Sequence, residues 1–193
     1  MTPLLTALAV GYVVGSASPA ALLARARGVD LRASGSGNPG ATNVGRLLGR
    51  KAGVAVAVLD VSKGALPAAV FGSVVSHEAG LVAGAAAVAG HITSPWLRGR
   101  GGKGAATAGG AILGSHPAWA VVVIGTWVVV AVATRWVALA SICAAVVLPI
   151  VAALAGRVLG DVVWALAIAT VVVARHRANI TRWLAARRTA PPA

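Results

Sequence analysis

The sequence predicts an all-α integral membrane protein, a polytopic bundle of about seven spans, two of them short, forming one domain over residues 1–193. Three observations support this class. Hydrophobic residues make up 58% of the 193 positions and mean hydropathy is +0.85. Charged residues make up only 11%, against about 25% in soluble domains. Long apolar runs alternate with short polar or basic segments. The net charge of +13 does not indicate a nucleic-acid partner, because the basic residues lie between apolar runs and few aromatic residues accompany them.

The first apolar run has no basic segment before it, so we interpret it as a membrane span and not as a cleaved signal peptide. A full crossing needs roughly 20 helical residues. The third and fourth runs are shorter, which leaves two alternatives for them, namely half-length helices or a re-entrant pair around residues 92–103. The runs fall at about residues 3–24, 52–75, 79–91, 104–114, 117–134, 137–155 and 158–174.

The distribution of Lys and Arg between the runs predicts the orientation. Fifteen of them fall in segments that seven crossings place on one side, and Arg157 alone falls on the other side. Cytoplasmic loops carry an excess of Lys and Arg. We therefore expect the N-terminus outside and the C-terminus in the cytoplasm, with the motif-bearing loops on the cytoplasmic face.

The first such loop is rich in glycine and in small polar side chains. Glycines let backbone N–H groups approach an anion, and the N-terminus of a following helix adds its positive dipole end. The Arg46 guanidinium suits a phosphate. The loop is typical of a phosphate site, although a glycine-rich turn that caps a helix has the same composition. Its candidate residues are Gly35, Ser36, Gly37, Asn38, Gly40, Thr42, Asn43 and Arg46.

A second glycine loop follows the third run. It is not a Walker A loop, because Gly104 stands where the magnesium-binding Ser or Thr belongs. It presents a lysine that can reach a phosphate, or it is a tight turn with a solvated lysine. Its candidate residues are Gly101, Gly102, Lys103, Gly104 and Thr107. Near the C-terminus, His176 and Asn179 are three residues apart and share a helix face if the last helix continues past Arg175.

No metal site and no cofactor are expected. The four acidic residues are not clustered in the sequence, and the histidines lack the i, i+4 spacing of a helical zinc site. Asp60 and Lys63 lie three apart within the second run, where charges are usually paired and functional. A structural ion pair is favoured for Asp60, whereas Lys63 is a candidate to face an anion. His91 ends the third run and is either structural or part of the same site.

These motifs together resemble the bacterial acyl-phosphate-dependent glycerol-3-phosphate acyltransferases. The resemblance covers nearly the whole chain. It rests on Gly35–Arg46, on Asp60, Lys63, Gly64 and Pro67, on Gly90 and His91, on Gly101–Thr107, and on Arg175–Ile180.

The resemblance implies transfer of an acyl group from acyl phosphate to the 1-hydroxyl of sn-glycerol 3-phosphate, giving lysophosphatidic acid and phosphate. It implies catalytic roles for Ser36, Arg46, His176 and Asn179, and glycerol phosphate binding around Lys103. The implied location is a bacterial plasma membrane. Implied partners are the two substrates and the bilayer, with the enzyme that forms acyl phosphate as a further candidate.

The sequence departs from this family in places. Ala138 replaces a frequent serine, which leaves Ser141 as the remaining hydroxyl, and Ala185-Ala186-Arg187-Arg188 replaces the family's Gly-x-Glu. A diverged paralogue with another acyl donor is therefore an alternative. A small anion or phosphoester transporter is the alternative from another class, but its sites lie near the midplane, whereas these motifs share one face.

Overall fold

The computed structural model describes residues 2–156 and 158–189, with the backbone alone for 186–189. The prediction for Arg157 lies outside these residues, and so do the side chains of Arg187 and Arg188. The described part is helical and contains no strand, which confirms the all-α class. Its helices are α1 (Pro3–Ser16), α2 (Pro19–Ala26), α3 (Ala41–Leu48), α4 (Arg50–Val74), α5 (His77–Thr93), α6 (Ala105–Ser115), α7 (Pro117–Thr134), α8 (Val137–Leu154), α9 (Leu159–Arg175) and α10 (Arg177–Thr189), with a 3₁₀ turn at Pro95–Leu97.

Four helical segments are long and apolar enough to cross a membrane, and a fifth is added if α9 and α10, bent by 46°, count as one. The four are Pro3–Ala26, Arg50–Val74, Pro117–Thr134 and Val137–Leu154. Helices α5 and α6 fall short of that length, with 17 and 11 residues. The expected number of about seven spans and the expected orientation are therefore not confirmed and stay predictions.

The first apolar run is two helices, α1 and α2, separated at Ala17 and Ser18. Ser18 caps α2, its hydroxyl accepting a hydrogen bond from the Ala21 N–H at 3.3 Å, and Pro19 occupies the first helical turn. Proline lacks the N–H that a continuous helix would need. The Ser-Pro pair therefore ends α1 and starts α2.

Small residues hold the helices together. Gly15 of α1 packs directly on the backbone of Ala87 in α5, and Gly64 of α4 packs on the backbone of Thr107 in α6. Any side chain at either glycine would collide with backbone atoms. Lipid gives no hydrophobic force between helices, so close backbone approach through small residues is the usual means of packing in membranes. These contacts fix α5 and α6 against the longer helices.

Candidate active site

A cavity of about 1000 Å³ opens at the end of the bundle where α5 and α9 finish and α6 and α8 begin. Polar side chains from four separate segments meet there. All four predicted catalytic residues line it, as do most of the predicted binding residues. The predicted residues on its wall are Ser36, Asn38, Gly40, Thr42, Asn43, Arg46, His91, Lys103, Gly104, Ser141, His176 and Asn179.

Asn43 holds the first loop in shape. Its side chain is buried, with 1% of the residue exposed. The Asn43 Oδ1 atom accepts a hydrogen bond from the Ser36 N–H at 2.8 Å, and Nδ2 donates to the Ser34 carbonyl at 3.1 Å. Because an amide side chain both donates and accepts, one residue closes the loop back on itself. Ser36 is thereby fixed at the cavity wall.

Two glycines of this loop have backbones that favour glycine, with φ of +61° at Gly35 and +69° at Gly37. A Cβ at Gly35 would also collide with the Asn43 Oδ1 atom. Gly35 is thus required both for the turn and for the hydrogen bond that anchors Ser36. Neither glycine lines the cavity, so their part in the loop is conformational.

The loop ends at Gly40, which caps the start of α3. Gly40, Ala41 and Thr42 line the cavity. The first N–H groups of a helix have no partner within it and carry the positive end of its dipole. Arg46 lies one turn further along α3 and also lines the cavity. This end of α3 is therefore electropositive and suited to an anion.

The second loop folds onto the end of α5. The Gly101 N–H donates to the Ile92 carbonyl at 2.8 Å, and the Gly102 N–H donates to the His91 carbonyl at 3.1 Å. Both amides are used internally, so the predicted arrangement, in which glycine amides cradle a phosphate, does not apply to these two positions. Their carbonyls accept hydrogen bonds from Arg175 Nη2 at 3.3 and 3.2 Å. The loop instead positions its lysine.

Lys103 Nζ donates to Asn179 Oδ1 at 2.5 Å, joining the second loop to α10. Burial, followed by the nearby guanidinium groups of Arg182, Arg46 and Arg175, lowers the pKa of Lys103 below its ordinary value. Three further cations thus act on Lys103 at this end of the cavity. A bound anion would relieve that repulsion, and the arrangement therefore favours a phosphate-bearing ligand.

His176 lies in the break between α9 and α10, beyond the apolar part of α9. Its Nδ1 is 2.8 Å from the Val172 carbonyl, which can only accept, so Nδ1 carries the proton and Nε2 is an acceptor. Burial is the main cause that lowers the pKa of His176 below 6.5; the hydrogen bond to Val172 opposes it, and Lys103 adds to it. A neutral imidazole with an acceptor nitrogen at the cavity can take a proton.

The ion pair expected for Asp60 is present in α4, whereas Lys63, the expected anion-facing residue, does not reach the cavity. Lys63 Nζ lies 2.9 Å from Asp60 Oδ1 and donates to the Ala17 carbonyl at 2.7 Å, in the break between α1 and α2. Lys63 does not line the cavity, whereas Asp60 and His91 do. His91 Nδ1 is 3.6 Å from Asp60 Oδ1. Lys63 thus ties α4 to the break, because an unwound turn leaves a carbonyl to satisfy.

Ser141 is engaged between two helices. Its hydroxyl donates to the Val137 carbonyl at 2.9 Å and accepts from Trp127 Nε1 at 3.2 Å. The same hydroxyl therefore links α7 to α8 at the cavity wall. Ala138, on the same helix, also lines the cavity.

An apolar cleft leads from the polar end of the cavity between α7, α8 and α9. Its wall consists of small and branched side chains and one tryptophan, an apolar surface suited to a linear hydrocarbon chain. Its residues are Val123, Ile124, Trp127, Ala144, Ala145, Leu148, Ile168 and Val172. Sequence reasoning did not identify the cleft, because a lipid-facing and a cavity-facing position look alike in an apolar run.

Six predicted binding residues do not line the cavity: Gly35, Gly37, Lys63, Gly101, Gly102 and Thr107. Sequence reasoning also missed several residues that do. The polar ones are Arg50, Asp60, Arg135 and Arg182. The three arginines flank or follow apolar runs on the same predicted side of the membrane. The distribution of charge along the sequence could therefore have indicated them. The one group of described residues that could hold a metal ion, His77, His116 and Asp161, is not part of this cavity.

Comparison with known proteins gives a consistent result. The family model for glycerol-3-phosphate acyltransferase matches residues 5–186. The glycerol-3-phosphate acyltransferase of Geobacter sulfurreducens is 42% identical over 175 residues, covering 90% of each chain. The protein of that name from Geotalea daltonii is 39% identical over 183 residues, covering 94% of each.

The fold also matches solved structures. PlsY, an integral membrane glycerol 3-phosphate acyltransferase, superposes in its glycerol 3-phosphate form with a TM-score of 0.91 at 36% identity, covering 95% of this chain and 93% of that one. Its lysophosphatidic acid form superposes with a TM-score of 0.88 at 35% identity, with the same coverage. The match spans the loops that build the cavity as well as the helices. The chain belongs to the glycerol-3-phosphate acyltransferase family.

Proposed function

We propose that the protein transfers an acyl group from acyl phosphate to the 1-hydroxyl of sn-glycerol 3-phosphate, releasing lysophosphatidic acid and phosphate. The observation that carries this proposal is the cavity itself. Its polar end gathers Ser36, Arg46, Lys103, His176 and Asn179, and its other end is an apolar cleft. A phosphate-bearing acceptor and an acyl chain with an activated head group can therefore meet at one point.

The excess of positive charge supports two phosphate-bearing substrates. Burial and then the nearby Arg182 and Arg46 depress the pKa of Lys103, and the start of α3 adds backbone N–H groups. The Lys103 loop and α10 would hold glycerol 3-phosphate. Ser36, Asn38 and Arg46 would orient the acyl phosphate, whose chain would lie in the cleft between α7, α8 and α9.

The reaction needs positioning and charge stabilisation more than a strong nucleophile, since an acyl phosphate is a mixed anhydride with a good leaving group. The 1-hydroxyl oxygen attacks the acyl carbonyl carbon while His176 Nε2 accepts its proton. The carbon–oxygen bond to the phosphate then breaks, and the phosphate leaves with the bonding electrons. No acyl-enzyme forms in this route, so trapping an acyl-Ser36 adduct would refute it.

Acyl phosphate, and not acyl-CoA, is the proposed donor. The described cavity has a cationic end and an apolar cleft, and these two features correspond to the two parts of an acyl phosphate. The acyl-CoA-using enzymes rely on a His-x4-Asp pair, and no histidine in this sequence is followed by an acid five positions later. A diverged enzyme with a different acyl donor is the alternative.

The proposed location is a bacterial plasma membrane with the cavity facing the cytoplasm. Its support is the concentration of Lys and Arg in the segments around the cavity, since cytoplasmic loops carry that excess. Both substrates are anionic, and glycerol 3-phosphate is water-soluble, so this face gives it direct access. The enzyme that forms acyl phosphate is a candidate partner at the same face.

Turnover by purified protein in detergent tests the proposal, with palmitoyl phosphate and glycerol 3-phosphate as substrates. We expect Arg46→Ala and Lys103→Ala each to lower kcat/KM by about 100-fold or more, since each removes a charge that contacts a phosphate. Arg27→Ala is the matched control, because Arg27 is basic but does not line the cavity, and it should retain activity. Equal activity in all four proteins would overturn the site assignment. Absence of turnover with flux of phosphoesters into liposomes would favour the transporter.

A further inference from the structure

Helices α5, α6 and α9 each have one end at the cavity, and their opposite ends also lie close together. Helix α5 starts at His77, and its last turn contains His91 on the cavity wall. Helix α9 starts two residues before Asp161 and ends beside His176. Helices of this length span about 25 Å at 1.5 Å per residue. His77 and Asp161 therefore lie on the opposite side of the bundle from the cavity.

His116, between α6 and α7, joins them there. Asp161 Oδ1 lies 2.6 Å from His77 Nε2 and 3.3 Å from His116 Nε2. One ligand atom from each of the three residues lies within 4.8 Å of the others. Two imidazoles and one carboxylate are a donor set that suits zinc and related divalent transition ions.

The His116 ring is oriented with Nε2 toward the cluster. Its Nδ1 is 3.0 Å from Ser115 Oγ, and that hydroxyl donates its own hydrogen to the Ala111 carbonyl at 2.8 Å. Ser115 Oγ therefore accepts from Nδ1–H, so Nε2 is the ring nitrogen that remains to bind a metal. Trp119 stacks on the ring with centroids 3.8 Å apart and holds its plane.

An ion has both a route and space at this place. The His77 side chain is 45% exposed, whereas those of His116 and Asp161 are 4% and 2% exposed. A cavity of about 170 Å³ lies beside the two histidines, lined by Ser115, Pro117, Ala118 and Trp119 as well. This volume can hold a water molecule as the fourth ligand.

One of the three separations already fits a tetrahedral ion, and a second comes to fit after a small side-chain movement. Ligand atoms at 2.0–2.1 Å from zinc are roughly 3.3 Å apart, which matches the separation of His116 Nε2 and Asp161 Oδ1. The separation between His77 Nε2 and Asp161 Oδ1 must widen by about 0.7 Å for the same geometry. His77 is half-exposed at the first residue of α5, so its side chain can make that movement.

We propose that His77, His116 and Asp161 form a binding site for a divalent transition ion of the zinc type, with water as its fourth ligand, on the side opposite the cavity. A bound ion would join the start of α5, the junction of α6 with α7, and the start of α9. These helices carry His91, the segment after Lys103, and His176. The site would therefore fix their spacing from the far side, without taking part in acyl transfer.

Zinc binding to the chelator-treated, full-length protein in detergent tests this proposal by calorimetry, with cobalt absorption as a second probe. We expect one ion per chain and a melting temperature that rises with zinc. His77→Ala should weaken binding at least about tenfold, because even loss of an outer-shell partner costs 10–100-fold. Glu78→Gln is the matched control, since Glu78 is an exposed carboxylate beside His77 that is not one of the three ligands, and it should bind like the wild type.

His77→Ala is the decisive variant, because a half-exposed side chain can be removed without loss of the fold. Asp161→Asn is the second variant, and its melting temperature without zinc shows whether it folds. Structural zinc sites bind far more tightly than a Kd of about 10⁻⁴ M. Wild-type protein that binds no zinc at about 100 μM would therefore overturn the proposal. Zinc binding that His77→Ala leaves unchanged would also overturn it, since the ion would then lie elsewhere. A lower melting temperature of His77→Ala with no response of the wild type to zinc would show a hydrogen-bonded cluster only.

Discussion

At the residue scale, the contacts of His176 define what it can do in the cavity. The Val172 carbonyl fixes its tautomer, with 2.8 Å between the two atoms. Lys103, joined to Asn179, adds a positive charge nearby and opposes protonation of the ring. Burial is the main cause that lowers the pKa of His176, and the cation that would bind substrate phosphate adds to it. Under the proposed function, phosphate binding and proton transfer would therefore be coupled through His176, Lys103 and Asn179.

The pH dependence of turnover follows from this coupling. Burial and Lys103 lower the pKa of His176 below 6.5, so the neutral ring persists at more acidic pH than for an ordinary histidine. A base must be neutral to act, and we expect the acid limb of kcat/KM to fall below pH 6.5. His176→Gln should lower kcat by about 10²–10⁴-fold, the usual contribution of a general base, and should remove that limb. Near-normal turnover of His176→Gln with an unchanged pH profile would contradict the assignment.

At the element scale, the first loop shows why glycine is needed at particular positions. Gly28 and Gly35 both have left-handed backbones, with φ of +67° and +61°. A Cβ at Gly28 meets nothing within 4 Å, whereas a Cβ at Gly35 meets the Asn43 Oδ1 atom that anchors Ser36. A side chain at either position would therefore carry the same backbone strain, and only one at Gly35 would also collide with a neighbour.

This difference gives a matched pair of variants. Gly28→Ala should cost about 1–2 kcal/mol of stability from backbone strain and retain activity. Gly35→Ala has the same strain and also displaces Asn43, so it should lower kcat/KM by at least about tenfold, a loss of about 1.4 kcal/mol in transition-state stabilisation. Steady-state kinetics and thermal melts of both variants measure this. Equal activity in the two would show that the Asn43 contact does not organise the site.

The sequence contained enough to locate three of the elements that form the cavity. Glycines, small polar residues and bases concentrate locally in the Ser36 loop, the Lys103 loop and the segment from His176 to Asn179. The apolar cleft was not predictable, because its residues are apolar in either environment. The direction of Lys63 depends on the carbonyl of Ala17, which lies in the break between α1 and α2. Spacing within one helix cannot detect such partners.

The same reasoning applies to the histidine cluster. A test for two histidines four residues apart detects metal sites on a single helix. His77, His116 and Asp161 come from three places in the sequence and meet only after folding. Their grouping therefore required the packing of α5, α6 and α9.

At the scale of the whole molecule, the charge pattern predicts which side each end of the bundle faces. Arg27 lies at the end of α2 on the predicted cytoplasmic side, and Leu154, 83% exposed, ends α8 on the other side. Single cysteines at these positions, in a Cys143→Ala background, distinguish the two faces. A membrane-impermeant maleimide should label Leu154→Cys in intact cells and Arg27→Cys only after permeabilisation. The reverse pattern would place the cavity outside.

The most direct test of the account is the choice of acyl donor by the purified protein. Palmitoyl phosphate and palmitoyl-CoA would be compared at equal concentration with glycerol 3-phosphate, and lysophosphatidic acid and free phosphate would be counted together. We expect one phosphate released for each lysophosphatidic acid formed, with palmitoyl phosphate and not palmitoyl-CoA supporting turnover. Turnover from palmitoyl-CoA, or phosphate release without glycerol 3-phosphate, would contradict direct transfer between two phosphate-bearing substrates in this cavity.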